Sequence, residues 1–391
     1  MFKYLQFVLW AVLSASVFVV SAQPTINTNK KNGGYTFTIS KMIEATPVKN
    51  QFKSGTCWVF STNSFIESEI LRLGHGQINL SEMYVVRNMY RQKAERYLRY
   101  QGSTNFGDGG EPHDVINAIR QYGLIPFEVY PGMPAGQVKP VQGEINAVLK
   151  AMLDAMLKLH DGSLNKNWKA AFTGALDGYF GTPPATFTFQ GKTYTPESFA
   201  KSLDINPDDY VEITSFTHHP FYSPFILEVP DNWANGEVYN VPLEDLQRIA
   251  DNAITNNYSV AWASDVSEKG FSFKNGLAIV PEKNYDDMTQ AGKDSIFSKP
   301  APEKEINQAY RQEAFDNLST TDDHGMQIVG KAKDQLGNPY YLVKNSWGTD
   351  RNDLDGYFYC SLPYFQYKTT CIMINKHALP KDIAQKLGIK P

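Results

Sequence analysis

Cysteine is scarce in this chain of 391 residues: there are three, Cys57, Cys360 and Cys371. Three cysteines allow one disulfide at most and leave an odd thiol. Histidine is limited to seven, and the adjacent His218-His219 has neither a cysteine nor an acidic residue at ligand spacing, so no metal site and no cofactor is expected. Positive charge is not in excess. A formal net charge of −4 and a pI near 6.0 give no overall attraction to nucleic acid or to an anionic membrane. Internal repeats and low-complexity tracts are missing as well. With 42% hydrophobic and 20% charged residues the composition is that of a globular protein, neither disordered nor fibrous.

The long apolar run is at the N-terminus. Lys3 precedes an apolar stretch from Tyr4 to Val20, and Val20-Ser21-Ala22 supplies small residues ahead of Gln23, which reads as a signal peptide over 1–22. A retained anchor is the competing reading, since the run approaches the length of a spanning helix. No cysteine stands at the cleavage site, so lipid attachment there is excluded. The expectation is an exported protein, periplasmic or secreted, with no stable membrane anchor after cleavage. An oxidising compartment would permit Cys360 to pair with Cys371 and leave Cys57 free.

The stretch Asn50-Gln51-Phe52-Lys53-Ser54-Gly55-Thr56-Cys57-Trp58-Val59-Phe60-Ser61 is where chemistry enters. Phe60, Ile66, Ile70 and Leu73 follow at helical spacing, and Gly74-His75-Gly76 stops the pattern, so Cys57 opens a helix. Unpaired N–H groups and the positive end of the helix dipole favour a thiolate there. Gln51 offers an amide donor for a developing oxyanion.

Ser81 caps the next helix, whose basic residues Arg87, Arg91, Lys93, Arg96 and Arg99 read as a solvated face. The loop Gly107-Asp108-Gly109-Gly110-Glu111-Pro112 lets another backbone approach closely. An amphipathic helix follows over 141–159, then a hairpin near 187–194 and a helix started by Thr195-Pro196. A sheet-rich part begins after Val241. There His324 starts an apolar strand, and a second strand, Tyr340 to Lys344, runs into Asn345-Ser346-Trp347-Gly348. Pairing of the two strands would bring the Asn345 amide to the His324 imidazole. Trp58 and Trp347 are the expected aromatic walls of a shielded site.

At these residues the sequence resembles the papain-like cysteine peptidases, whose signature is a Gln, a Gly/Ser-containing loop, and Cys-Trp-x-Phe-Ser, with Asn-Ser-Trp-Gly further on. The resemblance implies an α+β fold of two lobes, with Cys57 as nucleophile, His324 as general base and acid, Asn345 as orienting amide and Gln51 as oxyanion donor. It further implies peptide binding by Gly109 and Gly110, with Glu111, Pro112, Asp322, Asp323 and Trp347 beside the substrate. Carboxylates of Glu111 and Asp322 would suit a substrate α-amine or a basic side chain. Cys57 and His324 are 267 positions apart (324 − 57), against roughly 130 to 150 in papain and cathepsins. A helical insertion between the lobes is therefore expected. The divisions are 1–22 signal peptide, 23–45 extension, 46–130 helix-rich lobe, 131–240 insertion, 241–375 β-rich lobe and 376–391 tail.

Gly181 to Phe189 and the ending Asn375 to Lys381 resemble the bleomycin hydrolase and aminopeptidase C branch. That branch implies an aminopeptidase on short peptides and a homo-hexamer whose C-terminal arm restricts the cleft. This sequence stops at Pro391, without a long apolar arm. Endopeptidase or dipeptide-releasing action therefore stays open beside aminopeptidase action, as does a non-catalytic protein that binds peptides in the same cleft.

Overall fold

Cys57 opens the first helix, as its position ahead of an apolar helical pattern requires. The computed structural model describes residues 27–134, 136–159 and 163–390; the expected signal peptide lies outside the described residues. The helices are α1 Cys57–Arg72, α2 Glu82–Arg99, α3 Pro112–Tyr122, α4 Gly143–Leu157, α5 Trp168–Phe180, α6 Pro196–Ser202, α7 Leu243–Thr255, α8 Gln290–Ser295, α9 Gln308–Asp316, α10 Leu362–Lys368 and α11 Lys381–Leu387. The strands are β1 Phe37–Met42, β2 Phe187–Phe189, β3 Lys192–Tyr194, β4 Tyr210–Thr214, β5 Pro224–Ile226, β6 Glu237–Asn240, β7 Val260–Ser264, β8 Phe271–Ser272, β9 Leu277–Ala278, β10 His324–Asp334, β11 Pro339–Lys344, β12 Tyr357–Ser361 and β13 Thr369–Asn375. Among the described residues no helix is long and apolar enough to cross a membrane.

The sheet runs β5-β6-β4-β13-β7-β10-β11-β12-β9-β8, and β1 pairs with β10 off this path. Strand alternation sends neighbouring residues to opposite faces. Ala261 of β7 and Met373 of β13 join the core of α1 to α6. Val260, Trp262, Met326, Ile328 and Ile372 join a second core with α7, α10 and α11. The architecture is α+β, a helical half against a sheet-rich half. Within the segment between them, α4, α5 and α6 share the helical core, while β4 pairs with β13.

Helix α1 departs from the one-sided apolar face that its spacing predicts. It is buried from Trp58 to Ile70 on every side, polar residues included. Part of its polar face is met by the sheet: Ser64 Oγ donates to Gln327 Oε1 at 2.6 Å, and Gln327 Nε2 donates to Ser68 Oγ at 2.9 Å. Beside this seam, buried Lys344 donates to Ser64 Oγ at 2.5 Å and to Thr46 Oγ1 at 3.1 Å. Hydrogen bonds of this kind pair polar groups where the two halves meet, while Thr62 Oγ1 and both polar atoms of the Asn63 side chain have no partner among the described residues.

Three expectations need correction. Arg87 and Lys93 do not lie on a solvated face: both are buried, Arg87 against Asp177 and Lys93 donating to the carbonyls of Gly107 (2.9 Å) and Gly109. All three cysteines are free; β12, which holds Cys360, is separated from β13, which holds Cys371, by β11, β10 and β7. Strands spaced about 4.8 Å apart put those cysteines far beyond disulfide reach. Finally, an acidic residue does stand beside the histidine pair. Glu228 accepts from His218 Nε2 at 3.1 Å and meets His219 Nε2 at 2.9 Å, and these three side chains are grouped closely enough to surround an ion. Gln312 Oε1 accepts Thr217 N–H, so Gln312 Nε2 is the donor to His218 Nδ1 at 3.0 Å. His218 Nε2 then keeps its proton toward Glu228 and presents no lone pair to an ion in this arrangement.

Candidate active site

Cys57 is the first residue of α1, and Thr56 before it makes no side-chain cap. Val59 N–H donates to the Thr56 carbonyl at 3.1 Å, which leaves the N–H groups of Cys57 and Trp58 without intrahelical partners where the half-buried thiol emerges. Gly325 allows this end of the helix to approach β10. A Cβ on Gly325 would lie 2.6 Å from Ser61 Oγ and 3.3 Å from the Cys57 carbonyl oxygen. Cys57 and His324 thereby line one small cavity, of about 20 Å³.

Strands β10 and β11 pair antiparallel with Gln327 opposite Lys344, which carries Asn345 back to His324. The Asn345 amide is oriented by its neighbour: Ser346 N–H donates to Asn345 Oδ1 at 2.7 Å. His324 Nε2 meets the same oxygen at 2.7 Å. An amide oxygen only accepts, so Nε2 carries the proton and Nδ1 is the free acceptor. Trp347 covers the imidazole, ring centroids 4.6 Å apart.

Gln51 is held from both sides. Ser346 Oγ donates to Gln51 Oε1 at 2.6 Å, Gln51 Nε2 donates to Ser54 O at 2.9 Å, and Gln51 N–H donates to Ser346 O at 2.8 Å. One of the two Nε2 hydrogens is left for a ligand.

The site favours neutral groups. Burial pushes the Cys57 thiol up to about 12; backbone hydrogen bonds from Gly325 and Trp58 act against this, and the charges of Asp322 and Asp231 add to it. Burial brings the His324 imidazole down to about 4, opposed by its hydrogen bond to Asn345. A resting thiolate, expected from the helix terminus alone, is not what this enclosure favours.

The residues expected around a substrate divide into two groups. Gly110, Glu111, Pro112, Asp322 and Asp323 line the Cys57 cavity. Asp323, however, spends its carboxylate on Thr321 Oγ1 at 2.8 Å and on the N–H groups of Val266 and Ser267 at 3.3 and 3.2 Å. Trp347 serves His324, as above. Gly109 and Gly110 are required by internal close approach: a Cβ on Gly109 would overlap the Asp231 carboxylate, and one on Gly110 would lie 2.8 Å from Asp114 Oδ2 and 3.0 Å from Trp58. Asp231 and Lys93 were not signalled by the sequence. One sits in a loop and the other reads as a surface helix charge, and only the tertiary arrangement brings them to the glycine loop.

Residues 77–391 match the Peptidase C1-like family. The chain belongs to that family. His324 and Asn345 lie within the matched segment, and Gln51 and Cys57 precede it. Aminopeptidase G of Lactobacillus delbrueckii subsp. lactis is 25% identical over 410 residues, spanning 92% of this chain and 87% of that protein. Mitochondrial cysteine proteinase 1 of Saccharomyces cerevisiae is 24% identical, spanning 91% and 80%. Bleomycin hydrolase of Gallus gallus is 24% identical, spanning 89% and 84%. The crystal structure of pepw from Lactobacillus rhamnosis has the same fold, with a TM-score of 0.70 at 22% identity over 90% of this chain and 84% of that one. The protein is a papain-like C1 cysteine peptidase, and it is similar over most of its length to proteins named aminopeptidase C, aminopeptidase G and bleomycin hydrolase.

Proposed function

We propose that this C1 peptidase is an exported thiol aminopeptidase acting on short peptides through Cys57, His324, Asn345 and Gln51. The carrying observation is the Asn345 amide, whose oxygen takes both the Ser346 N–H and the His324 Nε2 proton. That arrangement leaves Nδ1 as the base toward the cavity that Cys57 lines. Because the neutral thiol and imidazole are favoured at rest, proton transfer from Sγ to Nδ1 accompanies attack on the peptide carbonyl. The tetrahedral oxyanion is held by the spare Gln51 Nε2 hydrogen and the Cys57 N–H. The imidazolium then protonates the leaving amine, and water, deprotonated by His324, releases the acyl group. Aminopeptidase action is supported by relatives named for it. Export is supported by Lys3 and the apolar run to Val20.

The test is Cys57→Ala, which should abolish peptide hydrolysis and epoxide labelling while keeping the wild-type unfolding curve. Turnover retained in that variant would refute the assignment. Mature protein beginning at Gln23 would support export, and a retained Met1 on exported material would count against cleavage.

A further inference from the structure

The cavity beside Cys57 is walled by carboxyl groups: Glu111, Asp231, Asp322 and Asp323 all line it. They arrive from separate parts of the chain. Glu111 precedes α3, Asp231 lies between β5 and β6, and Asp322 and Asp323 lead into β10.

Glu111 is 3% exposed, and its Oε1 has no hydrogen-bond partner among the described residues. Its Oε2 has a long contact of 3.9 Å from the weak Cys371 thiol, and the Glu111 and Asp322 carboxyls are hydrogen-bonded to each other. Asp322 has a long contact of 3.5 Å from Thr370 Oγ1. Among the described residues neither Glu111 nor Asp322 forms an ion pair with a lysine, arginine or histidine. The cations close by are committed elsewhere: Lys93 holds the Gly107 and Gly109 carbonyls, and His113 Nδ1 meets Glu212 at 2.8 Å. Burial and then the charge of Asp322 raise Glu111 well above the usual carboxylate range, and burial brings Asp322 up to about 6. With the cavity empty, a proton held between the two takes the place of a counter-cation.

A buried carboxylate with a free oxygen and no cation is costly unless something arrives to pair with it. Asp323 is satisfied by its own loop, and Asp231 receives Asn105 Nδ2 at 2.7 Å on one oxygen only. Glu111 and Asp322, paired only through the proton they share, therefore have no counter-cation, and Asp231 lines the same cavity. The enclosed space is about 20 Å³, the room of about one water molecule, so only a small terminal group of a ligand can enter it.

We propose that Glu111 and Asp322, with Asp231, form a specificity pocket for a cationic group, ammonium or guanidinium, on the peptide close to the bond attacked by Cys57. This deepens the thiol-peptidase reading and rests on it for the direction in which a peptide lies. Two sources supply the same chemistry: the α-amine of a free N-terminus and the side chain of lysine or arginine.

Binding is to be measured by calorimetry on the Cys57→Ala protein, so that the pocket is read separately from turnover. Four ligands suffice: Xaa-Ala-Ala with Xaa as lysine or norleucine, each free and N-acetylated. At least one cationic form should bind tenfold or more tightly than acetyl-norleucyl-Ala-Ala. The free norleucine form identifies the α-amine as the ligand, and the acetylated lysine form identifies the side chain. Glu111→Gln or Asp322→Asn in the same background should each cut that ratio at least threefold. Ligand affinities within twofold of one another overturn the pocket, as does a cationic preference that survives both substitutions. The ligand comparison stands by itself if a substituted pocket does not fold. Absence of any cationic preference in the unsubstituted pocket, with wild-type turnover of neutral peptides intact, removes only the pocket. Cation-dependent binding without turnover by the wild type supports the pocket and removes the nucleophile reading.

Discussion

Ser346 donates its hydroxyl to Gln51 Oε1 at 2.6 Å across 295 residues of chain. Ser346 N–H also orients Asn345, so one residue aligns the proposed oxyanion donor and the amide that fixes the imidazole. Ser346→Ala removes the hydroxyl and strands the Gln51 oxygen in a buried place, at a cost of about 1–3 kcal/mol. The expected result is a roughly tenfold fall in kcat with KM little changed. Gln51→Ala, which removes the donor itself, should cost about 2.7–4 kcal/mol of transition-state stabilisation. Steady-state kinetics on one peptide checks both, and an unaltered kcat in Gln51→Ala would contradict the oxyanion role.

Reactivity of Cys57 should follow the neutral pair. With the thiol pushed up to about 12, the rate of alkylation by iodoacetamide should climb about tenfold per pH unit from pH 6 to 9. A plateau across that range would mean a resting thiolate. Cys360 and Cys371, both free and buried, should stay unmodified in the native protein and both alkylate in denaturant without a reductant.

Acid should destabilise the fold through His324. The unfolded chain takes up this proton near pH 6.5, and the folded chain does so only near pH 4. Between those values the unfolded state binds more protons, so stability contributed by the neutral imidazole is present above 6.5 and is lost as pH falls to 4. The contribution is about 3 kcal/mol. Urea unfolding of wild type and His324→Gln at several pH values isolates it; a constant difference across the window would contradict the burial of a neutral ring.

Gly325→Ala should harm activity more than stability of the separate cores. Its methyl group would press on Ser61 Oγ and the Cys57 carbonyl and drive the start of α1 away from β10. The expected outcome is at least a tenfold loss in kcat, with an overpacking cost of about 1–3 kcal/mol. Ser61→Ala in the same chain should return part of that loss, which a double-mutant cycle would detect.

Much of the cleft was legible because its parts are local. Helical spacing after Cys57 and the stop at Gly74 located α1, and one apolar strand begun by a histidine with another running into an asparagine implied their pairing. What escaped is tertiary. A charge pattern along α2 cannot show that Lys93 has loop carbonyls to bind 14 and 16 residues away, or that Arg87 has Asp177 90 residues away. Nor does spacing reveal strand order, which decides that Cys360 and Cys371 are apart. Glu228 was overlooked beside His218 and His219 because a bend near β5, rather than a metal-ligand spacing, returns it to them. The full burial of α1 was hidden as well, since Ser64 and Ser68 look solvated until Gln327 and Lys344 are placed against them.

Strand β1 adds a constraint in time. Phe37 pairs with Asp334, and Met42 with Gly330, along the strand that His324 begins. Pairings this distant in sequence close slowly and only once their later half exists. During synthesis the segment around Cys57 emerges first and waits for nearly the whole chain before β10, Asn345 and Ser346 can meet it. The cleft is thus completed at the end of folding, and a nascent chain carries its thiol without the base, the amide or the fixed glutamine that would let it cut.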